Sequence, residues 1–146
     1  MKNPALILSV NPAIQEVMSP IYQSGISLEL IEYVGLRVGQ LNNCELCVGQ
    51  SFVRAETNSS IKNRIEHVLD WKKSTVFNEA ERTALEVTEK ITELEDRYNS
   101  VPDSLWSKFE NYYNEKERAA LVLLISMMNM FTRINVATRQ LNPDWE

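Results

Sequence analysis

The sequence predicts an all-α fold, a helical bundle organised as one domain over residues 1–146, and three observations carry the prediction. Capping residues recur ahead of stretches whose apolar positions return every three or four residues. Glycine and proline are sparse, at four and five, too few for a turn-rich sandwich. No run alternates apolar with polar residues as a half-buried strand would.

Each element follows from its punctuation. Asn11-Pro12 puts a capping residue before a proline suited to the first helical turn. That helix is expected to reach Ser24, with a kink at Pro20 and Gly25 as a left-handed stop. Ser27 caps a helix over 28–40, where Leu28, Ile31, Val34 and Val38 fall at helical spacing. Leu41-Asn42-Asn43 reads as a turn, with Asn43 capping a helix from Cys44 to Thr57. Asn58-Ser59-Ser60 then breaks the chain before another helix through Trp71. In the second half, Asn78-x-x-Glu81 and Asn114-x-x-Glu117 are capping boxes, in which the Asn accepts a helix-start N–H while the Glu reaches back. They open helices over 79–94 and 115–139, and Val101-Pro102-Asp103 opens a shorter one between them.

Composition narrows the function. The chain has 44% hydrophobic and 24% charged residues and a net charge of −5, with a pI near 5.0, so no basic footprint for nucleic acid is present. The apolar stretch at residues 4–10 is too short for an export signal. The most apolar window, Ala119 to Phe131, is too short to cross a bilayer and reads as a core helix. A cytoplasmic protein without membrane or nucleic-acid partners is expected. In that reducing compartment two cysteines three apart point to redox or metal chemistry rather than a structural staple.

Cys44 and Cys47 fall at a predicted helix start, where unpaired N–H groups and the positive end of the helix dipole favour a thiolate. Their spacing lets the sulfurs close a small disulfide, so one can attack an oxidant and the other resolve the product. Glu45 opposes the thiolate slightly. The plain alternative is two small buried apolar side chains. A closed zinc site takes about four ligands, and two cysteines with the lone His67 fall short, so neither a metal nor a cofactor is expected. Glu32, on the preceding helix, can fold back toward the cysteines across the turn. Gly35, Gly39 and Gly49 each cost about 1 kcal/mol of helix propensity relative to alanine, which points to close backbone approach in this hairpin.

The stretch from Glu32 through Cys44-Glu45-Leu46-Cys47 to Ser51 resembles the alkyl hydroperoxidase D (AhpD)-like branch of the carboxymuconolactone decarboxylase family. That branch is marked by a glutamate, eleven residues, Cys-x-x-Cys, three residues and a histidine. Trp71-Lys72-Lys73-Ser74 with Phe77 to Arg82 resembles its next helix junction, and Asn129 to Ala137 its C-terminal helix, so the likeness spans about residues 11–139. The resemblance implies an AhpD-like helical bundle, assembly as a trimer or hexamer, and reduction of small hydroperoxides by a dithiol–disulfide cycle recharged by an external dithiol protein. Catalytic roles carry over to Glu32, Cys44 and Cys47. The histidine position is Ser51, whose hydroxyl passes a hydrogen bond but is no base near neutral pH, so a slow peroxidase is expected. The rival readings are the decarboxylase that names the family and a non-catalytic redox sensor on the same scaffold. Met127, Met128 and Met130 read as core filler. Trp71, Phe77, Trp106 and Tyr113 read as core or subunit contacts, Arg133 and Asn135 as structural, and His67 as a surface residue.

Overall fold

The computed structural model describes residues 2–95 and 98–140, and over these the chain forms helices joined by short turns, with no strand among them. In chain order they are α1 (Pro4–Ile7), α2 (Asn11–Tyr22), α3 (Leu28–Leu41), α4 (Glu45–Ala55), α5 (Ser59–Ile65) with a 3₁₀ turn at Glu66–Val68, α6 (Glu79–Glu93), α7 (Asp103–Tyr112) and α8 (Glu115–Ala137). The all-α expectation holds.

α3 is the centre of the bundle because its sequence is apolar on two sides. Leu30, Ile31, Val34 and Val38 enter a core with α2, α6, α7 and α8 that includes Ile21, Val87, Phe109, Leu121 and Leu124. Tyr33 and Leu36 enter a second core with Ala55, Ile61, Ile65, Val68, Trp71, Phe77 and Leu85. Fully burying one such large side chain is worth roughly 1.5–3 kcal/mol. The helix bearing Glu32 is therefore fixed from both sides. α8 is long and apolar enough to cross a bilayer by length and composition, yet Leu121, Leu124, Ile125, Asn129, Thr132 and Asn135 turn into the protein. It is a core helix.

The two capping boxes form as expected, at Asn78/Glu81 and Asn114/Glu117. Gly25 takes φ +105 just beyond α2, as its role of left-handed stop requires. α2 runs on through Pro20 to Tyr22, and Asn11 is its first residue and not its cap, because Val10 before it already has helical backbone and no side chain caps this end. The helix expected through Trp71 tightens to a 3₁₀ turn after Ile65. The segment that follows is held by Arg82, whose guanidinium donates to the carbonyls of Trp71 at 2.8 Å, Ser74 at 2.9 Å and Lys72 at 2.9 Å.

One boundary bears on the site. Asn43 does not cap α4. It adopts φ 53 and closes α3 as a Schellman motif, with Asn43 N–H donating to the Gln40 carbonyl at 3.2 Å and Cys44 N–H to the Gly39 carbonyl at 2.9 Å. The capping role passes to Cys44, whose Sγ accepts the Cys47 N–H at 3.3 Å.

Candidate active site

The Schellman turn delivers Cys44 directly to the start of α4, so the Cys-x-x-Cys occupies a helix N-terminus, as expected from the sequence. The two cysteines are joined in a disulfide, with their Cα atoms 5.3 Å apart. The turn is tied to α8 from outside: Asn42 Nδ2 donates to Asn129 Oδ1 at 2.9 Å and to Thr132 Oγ1 at 2.8 Å. Asn129 in turn donates to Thr92 Oγ1 on α6 at 3.0 Å. Gly39 makes the hairpin tight, since a Cβ there would sit 3.3 Å from Cys47 Cβ. The other two glycines do not serve that purpose. A Cβ at Gly35 would make only ordinary contact with Met128, and one at Gly49 would meet nothing within 4 Å.

Cys47, Ser51 and Arg54 lie four and three residues apart and so share one face of α4. That face, with Glu32 and α8, walls a cavity of about 370 Å³. Glu32 is largely buried at its side chain, and Arg54 Nε donates to its two carboxylate oxygens at 3.0 and 3.1 Å. Arg54 Nη2 donates to Ser51 Oγ at 3.2 Å. Glu32 and Ser51 are thus linked through a guanidinium that sequence reasoning overlooks, although its i+3 spacing from Ser51 is legible. Part of the wall is apolar, formed by Ile14, Met18, Ile31, Met128 and Phe131. Met128 is therefore both core filler and cavity lining.

Asn135 is the second residue whose place sequence reasoning misses. It is buried, and its Nδ2 donates to Cys47 Sγ at 3.4 Å, while its Oδ1 has no hydrogen-bond partner. No local signal reveals this, because the two residues are 88 apart in sequence. A second Schellman turn holds it in place, with Gln140 N–H on the Asn135 carbonyl at 2.9 Å. Arg133 reaches Asn129 Oδ1, the structural part expected of it. Trp71, Phe77 and Tyr113 are buried, whereas Trp106 is half exposed with its ring edge against Phe109. His67 sits beside Glu66 at 3.8 Å, half exposed, and is not part of the cavity wall.

This geometry meets an independent likeness. The carboxymuconolactone decarboxylase family model matches residues 12–90, more than half of the chain, and the protein belongs to that family. The uncharacterized protein YdfG of Bacillus subtilis (strain 168) is 30% identical over 115 residues, covering 79% of this chain and 77% of its own. The uncharacterized protein YnjA of Escherichia coli (strain K12) is 27% identical over 104 residues, 71% of this chain and 56% of its own length. Among solved structures, a protein of unknown function from Agrobacterium tumefaciens, provisionally named antioxidant defence protein AhpD, superposes with a TM-score of 0.80 at 21% identity, covering 98% of this chain and 99% of its own. The debrominase Bmp8 superposes with a TM-score of 0.74 at 20% identity, covering 97% of this chain and 74% of its own. The fold is AhpD-like. α8, which brings Asn135 to Cys47, lies beyond the residues that match the family model.

Proposed function

We propose that the protein is a thiol peroxidase for small hydroperoxides, cycling Cys44 and Cys47 between dithiol and disulfide. One observation carries the reading: Cys47 of a closed Cys-x-x-Cys pair lines a cavity that also holds Glu32, Ser51 and Arg54. In the oxidative half, the Cys47 thiolate attacks the distal oxygen of ROOH. An S–O bond forms, the O–O bond breaks, and the alkoxide takes a proton and leaves as alcohol. The Cys44 thiol then attacks the sulfenic sulfur, the S–S bond forms, and the departing hydroxide takes the thiol proton to leave as water. An external dithiol returns the pair to the reduced state and becomes a disulfide itself. In this reading the thiol proton passes toward Glu32 by way of Ser51 or water, and Arg54, on the same cavity wall, is the cation available to the alkoxide. The need for dithiol reductant suits a reducing compartment such as the cytosol.

The test is consumption of tert-butyl hydroperoxide with dithiothreitol as reductant. Cys47→Ser should abolish it, while reduced Cys44→Ser, freed of dithiothreitol before peroxide is added, should consume about one equivalent and halt at the sulfenic acid, the first rung of thiol oxidation. Equal loss in both variants without a trapped sulfenic acid would overturn the assignment of the attacking sulfur. No turnover by the unmodified protein, with intact disulfide formation, would favour a redox sensor. The apolar wall also favours a second reading, because it would take a small flat ring of the kind suggested by the debrominase neighbour. Bromide release from a bromopyrrole under the same reductant separates the two.

A further inference from the structure

The two cysteines of the disulfide line different cavities, although Cys44 itself is only 3% exposed. Cys47 lines the cavity already described, while Cys44 lines a second, more open one of about 520 Å³ on the other side of the α4 N-terminus. Asn135 and Gln50 line both and stand with the disulfide as the partition. The second cavity has the small-ligand size range, with Val53 and Val136 exposed at its rim.

Gly49 also lines it, and this glycine has no internal reason to be there. It is exposed in the middle of α4, its backbone is not in the left-handed region, and a Cβ would meet nothing within 4 Å. Gly39 next door is needed for packing against Cys47; Gly49 is not. A helix-interior glycine costs about 1 kcal/mol relative to alanine, and here it leaves bare backbone beside the route to Cys44.

We propose that this second cavity is the reductant's subsite, where one thiolate of a dithiol attacks Cys44 Sγ, so that oxidant and reductant use opposite faces of the same disulfide. The inference rests on the peroxidase reading for its place in the cycle. Thiolate attack on one sulfur of a disulfide expels the other, so a thiolate reaching Cys44 through this cavity leaves Cys47 as the leaving group. The incoming sulfur bonds to Cys44 Sγ, the Cys44–Cys47 bond breaks, and its electron pair stays on Cys47, where Asn135 Nδ2 already donates. The second thiolate of the reductant then attacks its own sulfur in the mixed disulfide. Cys44 leaves as a thiolate, takes the proton released by the dithiol, and the reductant departs as a cyclic disulfide. Attack at this end frees first the sulfur that faces the oxidant.

The experiment measures the two half-reactions separately. Protein oxidised with diamide is reduced with dithiothreitol under stopped flow, and reduced protein is oxidised with tert-butyl hydroperoxide in a single turnover. Gly49→Leu, a good helix former that fills the open space, should slow reduction at least tenfold and leave oxidation within about twofold. Slowing of both halves alike, or of neither, overturns the proposal. A second measurement needs no variant: oxidised protein is treated briefly with 2-mercaptoethanol, the freed thiol is alkylated, and the adduct is located by fragmentation mass spectrometry. The adduct is expected on Cys44, and an adduct on Cys47 overturns the proposal. Diamide supplies the disulfide without any peroxide, so absent peroxide turnover would sink the peroxidase reading while the site of reductant attack remains measurable.

Discussion

At the scale of single residues, the site turns on Ser51. Its hydroxyl accepts from Arg54 and is buried at the cavity wall, where the family pattern has histidine. A serine cannot take up the thiol proton near neutral pH, so the rate should follow the thiolate fraction and rise with pH. Ser51→His places an imidazole on the face of α4 that carries Cys47, bordering a cavity with room for the ring. The rate at neutral pH should rise by up to roughly 10²-fold if general-base catalysis is restored. Glu32 would orient the new imidazole, although Arg54 now holds that carboxylate. Removing Glu32 should therefore cost more in the Ser51→His background than in the parent, as a double-mutant cycle on single-turnover oxidation will show. A folded Ser51→His protein with no gain would mean that the Glu32–Arg54–Ser51 chain uses a different proton route.

At the scale of elements, one buried carboxylate ties α3 to its neighbours beyond the two apolar cores. Glu89 on α6 accepts from Arg37 Nε and Nη2 at 3.1 and 2.7 Å, from Trp71 Nε1 at 2.8 Å, and pairs with Lys72 Nζ at 2.7 Å. It joins α3, α6 and the segment after the 3₁₀ turn. Burial alone would raise its pKa, but the hydrogen bonds from Lys72, Trp71 and Arg37 outweigh burial and hold it below the ordinary 4.5. With the folded value lowered, the stabilisation is full above the unfolded pKa and is lost as pH falls through the folded one. Glu89→Gln leaves the mostly buried Arg37 without a carboxylate and should cost about 3 kcal/mol at neutral pH. The gap from the parent should begin to narrow below about pH 4 in urea titrations, where the unfolded-state carboxylate takes up its proton, and close only as Glu89 is protonated in the folded protein; a gap independent of pH would refute the charge argument. The same elements show what is legible in the sequence. Caps at Ser27, Asn78 and Asn114 are local chemistry, and each can be read from a few neighbouring residues. The stops are harder: α1, α3 and α8 end on Ser9, Asn43 and Arg139 in the left-handed region. For a non-glycine residue that conformation costs roughly 1–2 kcal/mol, so a search for glycine stops runs past them. For this reason the expected α8 overshoots by two residues, and the sequence assigns Asn43 to the wrong helix. Within the site, Cys47 follows from its spacing to Cys44, Glu32 from the hairpin turn and the family resemblance, and Ser51 from the resemblance alone, while Asn135 depends on tertiary packing.

For the whole molecule, assembly turns on what covers the outer face of α8. Ala119, Leu123, Ser126, Met130, Arg133 and Ala137 are all exposed, and their spacings of four and three alternate along the helix. That is the seam pattern by which helices pack in coiled-coil fashion. The inner face of the same helix is already buried in the core, so Ala119, Leu123, Met130 and Ala137 form a second, partly apolar face that suits another subunit. If the chain assembles as the trimer or hexamer expected from the family resemblance, this seam is the surface it should use. Leu123 is 41% and Met130 36% exposed in the single chain, and both should be buried in the assembly. Multi-angle light scattering at micromolar concentration should then give three or six times the chain mass of 16.8 kDa. Leu123→Glu with Met130→Lys, placed one helical repeat apart on the seam, should shift the mass to that of one chain while the circular dichroism spectrum remains helical. The active-site cavity draws on α2, α3, α4 and α8 of one chain, so the single-chain form should keep disulfide formation by peroxide within a few-fold. A parent protein that already runs as one chain, or a double variant that still assembles, would show that this face meets solvent or a different partner.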